Sequence, residues 1–189
     1  MLITFEGIDG SGKTTQVKLL RDWLIKRGFR VLVTEEPTKG LIGKVLEKFM
    51  RDKEANKKVE ALLFAADRAE HTDKVIKPNL DKIVICDRYT HSSIAYQTSI
   101  GLSRDWVKCL NKNNLEPDLT IYLDVKPEVA LKRIGKRSLK TIKYEKLEML
   151  SKVRIEYLRM KSKKFKAVNG EKSVKEVHED IKRLLNDIN

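Results

Sequence analysis

The sequence predicts an α/β fold of three layers, with a five-stranded parallel sheet flanked by helices. Short, nearly continuous apolar segments alternate along the chain with longer segments of helical periodicity. Parallel strands covered on both faces need such apolar runs, whereas amphipathic helices carry their apolar residues on one face. The repeated strand–helix–strand order then favours parallel pairing. Residues 1–189 contain no repeat or low-complexity linker, so we expect one domain.

Five short segments rich in β-branched and aliphatic residues are the predicted strands. They are 2–6, 30–34, 82–87, 119–124 and, with a weaker pattern, 166–169. The predicted helices are the longer segments 13–27, 41–52, 59–77, 104–113, 128–134, 144–164 and 173–189. Gly28 ends the first of these helices and Pro78 follows the third, while Ser173 with Glu176 resembles the capping box that begins the last.

Composition and charge exclude several classes of protein. With 41% hydrophobic and 35% charged residues the chain is predicted to be globular, and no apolar run approaches the roughly 20 residues of a membrane helix. The N-terminus has no signal-peptide pattern, so the cytoplasm is the expected compartment. The formal net charge is +13, and residues 126–172 hold 16 Lys and Arg against 5 Asp and Glu. This excess is either a solvated basic surface or a positive field over a polyphosphate site.

The strongest functional motif is segment 7–14, which satisfies Gly-x-x-x-x-Gly-Lys-Ser/Thr between a predicted strand and a predicted helix. Glycines let such a loop turn its backbone N–H groups toward phosphate oxygens, and the helix adds its positive dipole end. Lys13 is predicted to reach the β- and γ-phosphates, and the Thr14 hydroxyl to bind Mg²⁺. The expected ATP-binding residues are Gly7, Ile8, Asp9, Gly10, Ser11, Gly12, Lys13, Thr14 and Thr15. The motif thus predicts a P-loop NTPase fold.

Other users of nucleoside triphosphates fit the sequence less well than a kinase does. Motors and helicases need further domains, and a GTPase needs a base-reading Asn-Lys-x-Asp motif. Residues 111–114 read Asn-Lys-Asn-Asn, so the aspartate is missing, and the segment precedes a predicted strand instead of following one. These observations argue against a GTPase, a motor or a helicase, but the phosphate-loop motif alone does not separate a kinase from other ATPases.

Several motifs, in order along the chain, resemble those of the thymidylate kinase family. Residues 87–89 read Asp-Arg-Tyr and are followed by Ser92 and by Ala-Tyr-Gln at 95–97, which is similar to the family's D-R-[YH]…S…A-[YF] pattern. Further similar segments are 7–10, 34–37 (Thr-Glu-Glu-Pro), 62–68 (Leu-Leu-Phe-Ala-Ala-Asp-Arg), 117–125 (Pro-Asp-Leu-Thr-Ile-Tyr-Leu-Asp-Val) and 143–145 (Lys-Tyr-Glu). The residues that stand where the family has, or often has, arginine are Glu35, Lys39 and Lys143.

Phe64 and Arg68 lie four residues apart and so share one face of a predicted helix. From this spacing alone, a core phenylalanine beside a surface arginine is the simpler interpretation. The resemblance instead implies that the ring stacks on a pyrimidine and that the guanidinium donates to its carbonyl edge. Arg88 follows the carboxyl end of a predicted strand and suits the acceptor's phosphate, with a structural ion pair to Asp87 or to another carboxylate as the alternative.

The resemblance implies further residues of the acceptor site. They lie in region 34–97, apart from Tyr144. The substrate-binding residues that it implies are Glu36, Pro37, Lys39, Phe64, Arg68, Arg88, Ser92, Tyr96, Gln97 and Tyr144. It also implies that Tyr96 leaves no room for a 2′-hydroxyl and that Asp9 helps to align the acceptor. A core tyrosine and simple loop polarity are the respective alternatives.

Arg133 and Arg137 flank Gly135 in a basic segment and are predicted to belong to a mobile lid over about 133–144. Donor and acceptor are both anions, so a kinase must bring positive charge to the reacting phosphates and keep water away. A solvated helix end is the alternative interpretation. The predicted catalytic residues are Asp9, Lys13, Arg88, Arg133 and Arg137.

The resemblance implies an enzyme that converts ATP and dTMP to ADP and dTDP, with Mg²⁺ as cofactor. It also implies a homodimer, with no nucleic-acid or membrane partner. A related kinase of relaxed or different base specificity is the first alternative. A nucleic-acid-stimulated ATPase that uses segment 126–172 is a remote one, because the acceptor motifs would then have no role.

Overall fold

The computed structural model describes residues 1–52, 54–135, 147–160 and 162–186. Its strands are β1 (Leu2–Glu6), β2 (Val31–Glu35), β3 (Ile83–Asp87), β4 (Leu119–Asp124) and β5 (Phe165–Asn169). They form one parallel sheet in the order β2-β3-β1-β4-β5. Each predicted strand agrees with an observed one to within one residue at either end, and the predicted fold class is confirmed.

Helices of the described residues cover both faces of this sheet. They are α1 (Lys13–Lys26), α2 (Leu41–Arg51), α3 (Lys57–His71), α4 (Thr90–Ser99), α5 (Arg104–Asn111), α6 (Pro127–Gly135), α7 (Leu147–Leu158) and α8 (Val174–Asn186). The predicted helix 59–77 stays regular only to residue 71, after which a π-helical turn and a 3-10 turn lead past Pro78. The predicted helix 144–164 ends at residue 158, and its first three residues lie outside the described residues.

Helix α4 has no counterpart among the predicted elements. Its sequence, Thr-His-Ser-Ser-Ile-Ala-Tyr-Gln-Thr-Ser, is rich in residues of low helix propensity and has no clear apolar stripe. The helix packs against α5 and α7, and this packing buries Ser92, Ser93, Ala95 and Gln97. Tertiary contacts, which the local sequence does not encode, therefore stabilise the element that carries several predicted acceptor residues.

Apolar side chains fill the space on both sides of the sheet. On one side, Leu20 of α1 and Ile181 of α8 pack in one cluster with Phe5. On the other, Tyr157 of α7 stacks on Tyr122, with 4.8 Å between the ring centroids. This packing fixes the carboxyl ends of the strands, where the loops that follow β1, β2 and β3 meet. Within the described residues no helix has the length and apolarity that a membrane span requires.

Candidate active site

The segment between β1 and α1 forms the predicted phosphate-binding loop. Gly7, Gly10 and Gly12 have φ values of 146°, 80° and 99°, which residues with a Cβ rarely adopt. A Cβ on Gly10 would also lie 2.4 Å from the carbonyl oxygen of Ala130. The loop borders a cavity of about 250 Å³. The residues around this cavity are Asp9, Gly10, Gly12, Lys13, Thr14, Glu35, Glu36, Asp87 and Arg88.

Lys13 is buried at the base of this loop. Its ammonium donates hydrogen bonds to the carbonyl oxygens of Gly7 at 3.0 Å and Ile8 at 3.1 Å. Burial lowers the pKa of Lys13 to about 8, and the charge of Arg88 acts in the same direction. A phosphate that enters the cavity offers a charged acceptor in place of the carbonyls and would raise this pKa again. The lysine is thus placed to bind a polyphosphate.

Arg88 connects the phosphate loop to α4. It follows β3 with a φ of 74°, a conformation uncommon for residues other than glycine. Its guanidinium forms an ion pair with Asp9 and donates to the Gly7 carbonyl at 3.3 Å. It also donates to Ser92 Oγ at 3.1 Å and to the Tyr96 hydroxyl at 3.2 Å. These bonds hold a planar cation at the carboxyl edge of the sheet, facing the open cavity.

A second pocket, of about 270 Å³, lies beside the loop cavity. It brings together eight of the ten predicted acceptor residues, which are Glu36, Pro37, Phe64, Arg68, Arg88, Ser92, Tyr96 and Gln97. Its wall also contains residues that no sequence motif marked, namely Glu47, Met50, Glu60 and Ser93. Lys39 instead borders another cavity, of about 730 Å³, which shares Thr14, Glu35 and Asp87 with the loop cavity. Tyr144 lies outside the described residues.

Arg68 is only 1% exposed, which excludes its interpretation as a surface charge. Its Nε donates to Glu36 at 2.7 Å, and its Nη1 donates to Ser93 Oγ at 2.8 Å and to Asn111. Phe64 is half-buried and lines the same pocket. The ring and the guanidinium therefore share one pocket, as their four-residue spacing on α3 predicts.

Two neighbouring cavities with cations in their walls suit an enzyme that brings two phosphate-bearing molecules together, and comparison with known proteins identifies its kind. The family model described as thymidylate kinase matches residues 5–181. The chain belongs to the thymidylate kinase family. The resemblance predicted from the motifs is confirmed over nearly the whole chain.

Relatives named as probable thymidylate kinases cover nearly the whole chain. The protein of Thermococcus onnurineus is 44% identical over 199 residues, which cover 98% of this chain and 97% of the relative. That of Pyrococcus abyssi is 44% identical over 193 residues, or 97% of this chain and 94% of the relative. That of Sulfolobus acidocaldarius is 44% identical over 184 residues, or 95% of this chain and 93% of the relative.

Two residues that depart from the motifs of the thymidylate kinase family, Glu35 and Lys39, form an ion pair on the surface. Lys39 Nζ lies 3.0 Å from Glu35 Oε1, and the two side chains are 89% and 53% exposed. Ion pairs this exposed contribute little to stability. Lys39 does not border the acceptor pocket, so its predicted contact with substrate stays a prediction. The third departure, Lys143, lies outside the described residues.

Asp87 is a site residue to which the sequence assigned no role beyond an ion pair with Arg88. Its Oδ2 accepts a hydrogen bond from Thr14 Oγ1 at 2.8 Å. Parallel register aligns Asp87 with Phe5 of β1, and this brings the carboxylate to the phosphate loop. An aspartate that ends a central strand of an α/β sheet is the signal that marks such a residue.

A buried carboxylate, Glu6, supports the site from below. It accepts hydrogen bonds from the Tyr89 backbone N–H at 2.9 Å, Ser92 Oγ at 2.5 Å and the Tyr157 hydroxyl at 3.0 Å. Burial raises the pKa of Glu6 to about 7, although the bond from Ser92 and the charge of Arg88 act in the opposite direction. Glu6 thus joins β1 to α4 and α7 and holds Ser92 where it accepts from Arg88.

The predicted lid is described only over residues 133–135. Arg133 donates from Nη2 to the Gly170 carbonyl at 2.9 Å and from Nη1 to the Ser11 carbonyl at 3.5 Å. Its guanidinium therefore contacts the backbone of the phosphate loop. Arg137 lies outside the described residues, and the closing of both arginines over the phosphates stays a prediction.

Proposed function

We propose that the chain is a nucleoside monophosphate kinase that transfers the γ-phosphoryl group of ATP to dTMP and so forms ADP and dTDP. One observation carries this proposal: the loop cavity and the acceptor pocket share Asp9, Glu36 and Arg88 in their walls. A triphosphate on the loop and a monophosphate in the pocket would therefore meet beside Arg88. Relatives of 44% identity named probable thymidylate kinase support dTMP as the acceptor.

The reaction requires position and positive charge more than acid–base chemistry. An oxygen of the dTMP phosphate attacks the γ-phosphorus, the bond to the β–γ bridging oxygen breaks, and ADP leaves with that oxygen. The attacking oxygen is already largely ionised at neutral pH, because the second pKa of a phosphate monoester is about 6. Lys13 and Arg88 border the same cavity, so both cations would lie close to the transferred group. Arg133 and Arg137 are the proposed lid cations.

Mg²⁺ is the proposed cofactor, and the residues that would hold it are Thr14 and Asp87. The Thr14 hydroxyl and the Asp87 carboxylate offer oxygen atoms 2.8 Å apart in the wall of the loop cavity. Such hard oxygen ligands suit a divalent cation that also binds substrate phosphates. When bound with ATP, the ion would neutralise charge on the β- and γ-phosphates.

The walls of the acceptor pocket support a deoxypyrimidine nucleotide as ligand. Phe64 offers a ring face for stacking, and Arg68 offers a buried donor for a carbonyl edge. Tyr96 is held by the hydrogen bond from Arg88 to its hydroxyl at 3.2 Å. A tyrosine fixed in this wall would leave little space for a 2′-hydroxyl.

An acceptor screen tests the proposed specificity through the release of ADP. The acceptors are dTMP, dUMP, CMP, UMP, AMP and thymidine, the last as a control without a phosphate. We expect the kcat/KM for dTMP to exceed that for CMP at least about tenfold, because cytosine carries an amino group where Arg68 needs an acceptor. Strong activity on another monophosphate, with little on dTMP, would overturn the assignment of dTMP as the acceptor but not the assignment as a kinase. ATP hydrolysis that is stimulated by DNA or RNA, without phosphoryl transfer to any acceptor, would overturn the proposed kinase activity.

A homodimer is part of the proposal, with its interface on α2 and α3. Val59, Leu62, Ala66 and Ala69 recur at spacings of three and four along α3, and all four are exposed. Leu41, at the start of the neighbouring α2, is 78% exposed. An apolar stripe on the outer side of a helix is typical of a contact with another protein. A second copy of this chain would cover the stripe.

Replacing Leu62 with glutamate is expected to convert the dimer to a monomer, because a charge in an apolar interface loses its hydration. Light scattering coupled to size-exclusion chromatography measures the mass. Ile25→Glu on α1 is the matched control, because Ile25 is 51% exposed and Leu62 is 48% exposed. A monomeric wild-type protein, or a Leu62→Glu variant that stays dimeric, would contradict the proposed interface.

We further propose that the chain forms one domain and that it acts in the cytoplasm. All strands of the described residues lie in one sheet, and the donor and acceptor cavities share walls. Both cysteines, Cys86 and Cys109, are free, which fits a reducing compartment. Residues 1–189 are thus proposed to act as one cytoplasmic unit.

A further inference from the structure

Behind the acceptor pocket, buried side chains form a row of hydrogen bonds that ends at Arg68. His71, the last residue of α3, is 3% exposed. Its Nδ1 lies 2.9 Å from Glu36 Oε1, and its Nε2 lies 2.6 Å from Thr34 Oγ1. The other oxygen of Glu36 accepts from Arg68 Nε at 2.7 Å. The row thus runs from β2 through His71 and Glu36 to the guanidinium.

One arrangement of protons satisfies every member of this row. An ionised carboxylate only accepts hydrogen bonds, so His71 Nδ1 donates to Glu36. With the imidazole in its neutral form, Nε2 accepts a hydrogen bond from the Thr34 hydroxyl. Both ring nitrogens of His71 and both oxygens of Glu36 are used in this way. The imidazole therefore fixes the carboxylate in one orientation.

The orientation of Glu36 decides the orientation of Arg68. Nε of Arg68 is bonded to Glu36, and Nη1 is bonded to Ser93 and Asn111. Nη2 has no hydrogen-bond partner among the described residues, and Arg68 lines the acceptor pocket. Nη2 is therefore the nitrogen left to donate to a ligand. Because the guanidinium is rigid and planar, the groups that hold Nε and Nη1 set the direction of Nη2.

We propose that His71 is a positioning residue for recognition of the acceptor base, acting through Glu36 on Arg68. Without the imidazole, one oxygen of the buried Glu36 loses its donor, and the carboxylate is free to turn from Arg68. His71 itself borders the cavity of about 730 Å³ and not the acceptor pocket. This role rests on the proposed function, because it requires dTMP to bind beside Arg68.

A metal site is the competing explanation for the same residues. Ligand atoms of Glu36, His71 and Cys86 lie within 4.8 Å of one another. The hydrogen bonds oppose this explanation, because Cys86 Sγ donates to the Arg88 carbonyl at 2.9 Å and the other two residues are fully bonded. Burial also raises the pKa of the Cys86 thiol, which disfavours the thiolate that a metal needs. The guanidinium of Arg68 would moreover repel a cation bound to Glu36.

Steady-state kinetics of two variants at His71 test the proposal. Leucine fills a similar space without hydrogen bonds, whereas asparagine places an N–H near the position of Nδ1. We expect His71→Leu to raise the KM for dTMP about tenfold, the effect of one lost buried hydrogen bond, with the KM for ATP changed less than about twofold. His71→Asn should recover most of this loss. His178→Leu on α8 is the control and should change neither KM.

A double-mutant cycle with Arg68→Met separates positioning from simple packing. If His71 acts through Arg68, then His71→Leu should raise the KM for dTMP less than about twofold when Arg68 is already methionine. Additive effects, or equal increases in the KM for dTMP and for ATP, would overturn the proposal.

Thr34→Val keeps the test decisive even where His71→Leu does not fold. Valine removes only the hydroxyl that donates to His71, and we expect the KM for dTMP to rise about threefold. An unchanged KM in Thr34→Val would also overturn the proposed role. A wild-type protein without activity on dTMP would refute the proposed function instead. The wild type is therefore measured before any variant.

Discussion

Replacing Lys13 with methionine is expected to lower kcat at least about a thousandfold while leaving the protein as stable as the wild type or more so. The ammonium of Lys13 lies on the phosphate loop, 3.0 Å from the Gly7 carbonyl, where the β- and γ-phosphates would replace the carbonyl acceptors. Charge builds up on these phosphates during transfer, and methionine has a similar length but no charge to stabilise it.

The expected stability follows from the pKa of the same group. Burial lowers the pKa of Lys13 from 10.5 to about 8, so the unfolded chain binds this proton more tightly than the folded chain does. The charged lysine therefore opposes folding below about pH 8, and this cost fades as the pH rises to 10.5. Methionine removes the cost, so any gain in thermal midpoint should be present at neutral pH and shrink in alkali.

Two measurements check both parts of this prediction. Single-turnover formation of ADP reports the chemical step, and thermal unfolding at neutral and alkaline pH reports the stability. Lys18→Met, an exposed position on the same helix, is the matched control and should retain activity. A near-normal rate for Lys13→Met, or a clearly lower thermal midpoint at neutral pH, would contradict the assignment of this lysine.

The sheet and the phosphate loop could be predicted from local sequence, whereas α4 could not. Parallel strands buried on both faces need continuous apolar runs, so the bounds of β1 and β4 follow directly from the sequence. The loop needs glycines at fixed spacing, so its motif is equally local. Helix α4 is polar and depends on its packing against α5 and α7, which no local pattern reveals.

Contacts between distant segments account for the site residues that the sequence missed. Thr14 and Asp87 are 73 residues apart, and they meet because β3 pairs with β1. Likewise Glu6 meets Tyr157 across 151 residues, through the packing of α7 on the sheet. The spacing on α3 predicted the shared face of Phe64 and Arg68 but not the burial of the arginine. Strand order and helix packing, not residue type, decide these contacts.

Replacing Arg88 with methionine is expected to lower the kcat/KM for dTMP about a thousandfold, with a far smaller change in the KM for ATP. Arg88 is the cation common to the walls of both cavities. The substitution also alters Asp9, which is paired with Arg88. Burial alone would raise the pKa of Asp9, but the charges of Arg88 and Lys13 outweigh it and hold this pKa below its usual value. Without Arg88, an unpaired Asp9 carboxylate would repel the acceptor phosphate.

Two further variants separate the loss of the cation from the release of Asp9. Arg88→Lys keeps the charge but not the planar pair of donors, so it should recover only part of the activity. Asp9→Asn combined with Arg88→Met should bind dTMP more tightly than Arg88→Met alone, because the repelling carboxylate is gone. Calorimetric titration with dTMP measures the binding step apart from catalysis. Equal affinity for dTMP in Arg88→Met and the wild type would mean that the acceptor phosphate binds elsewhere.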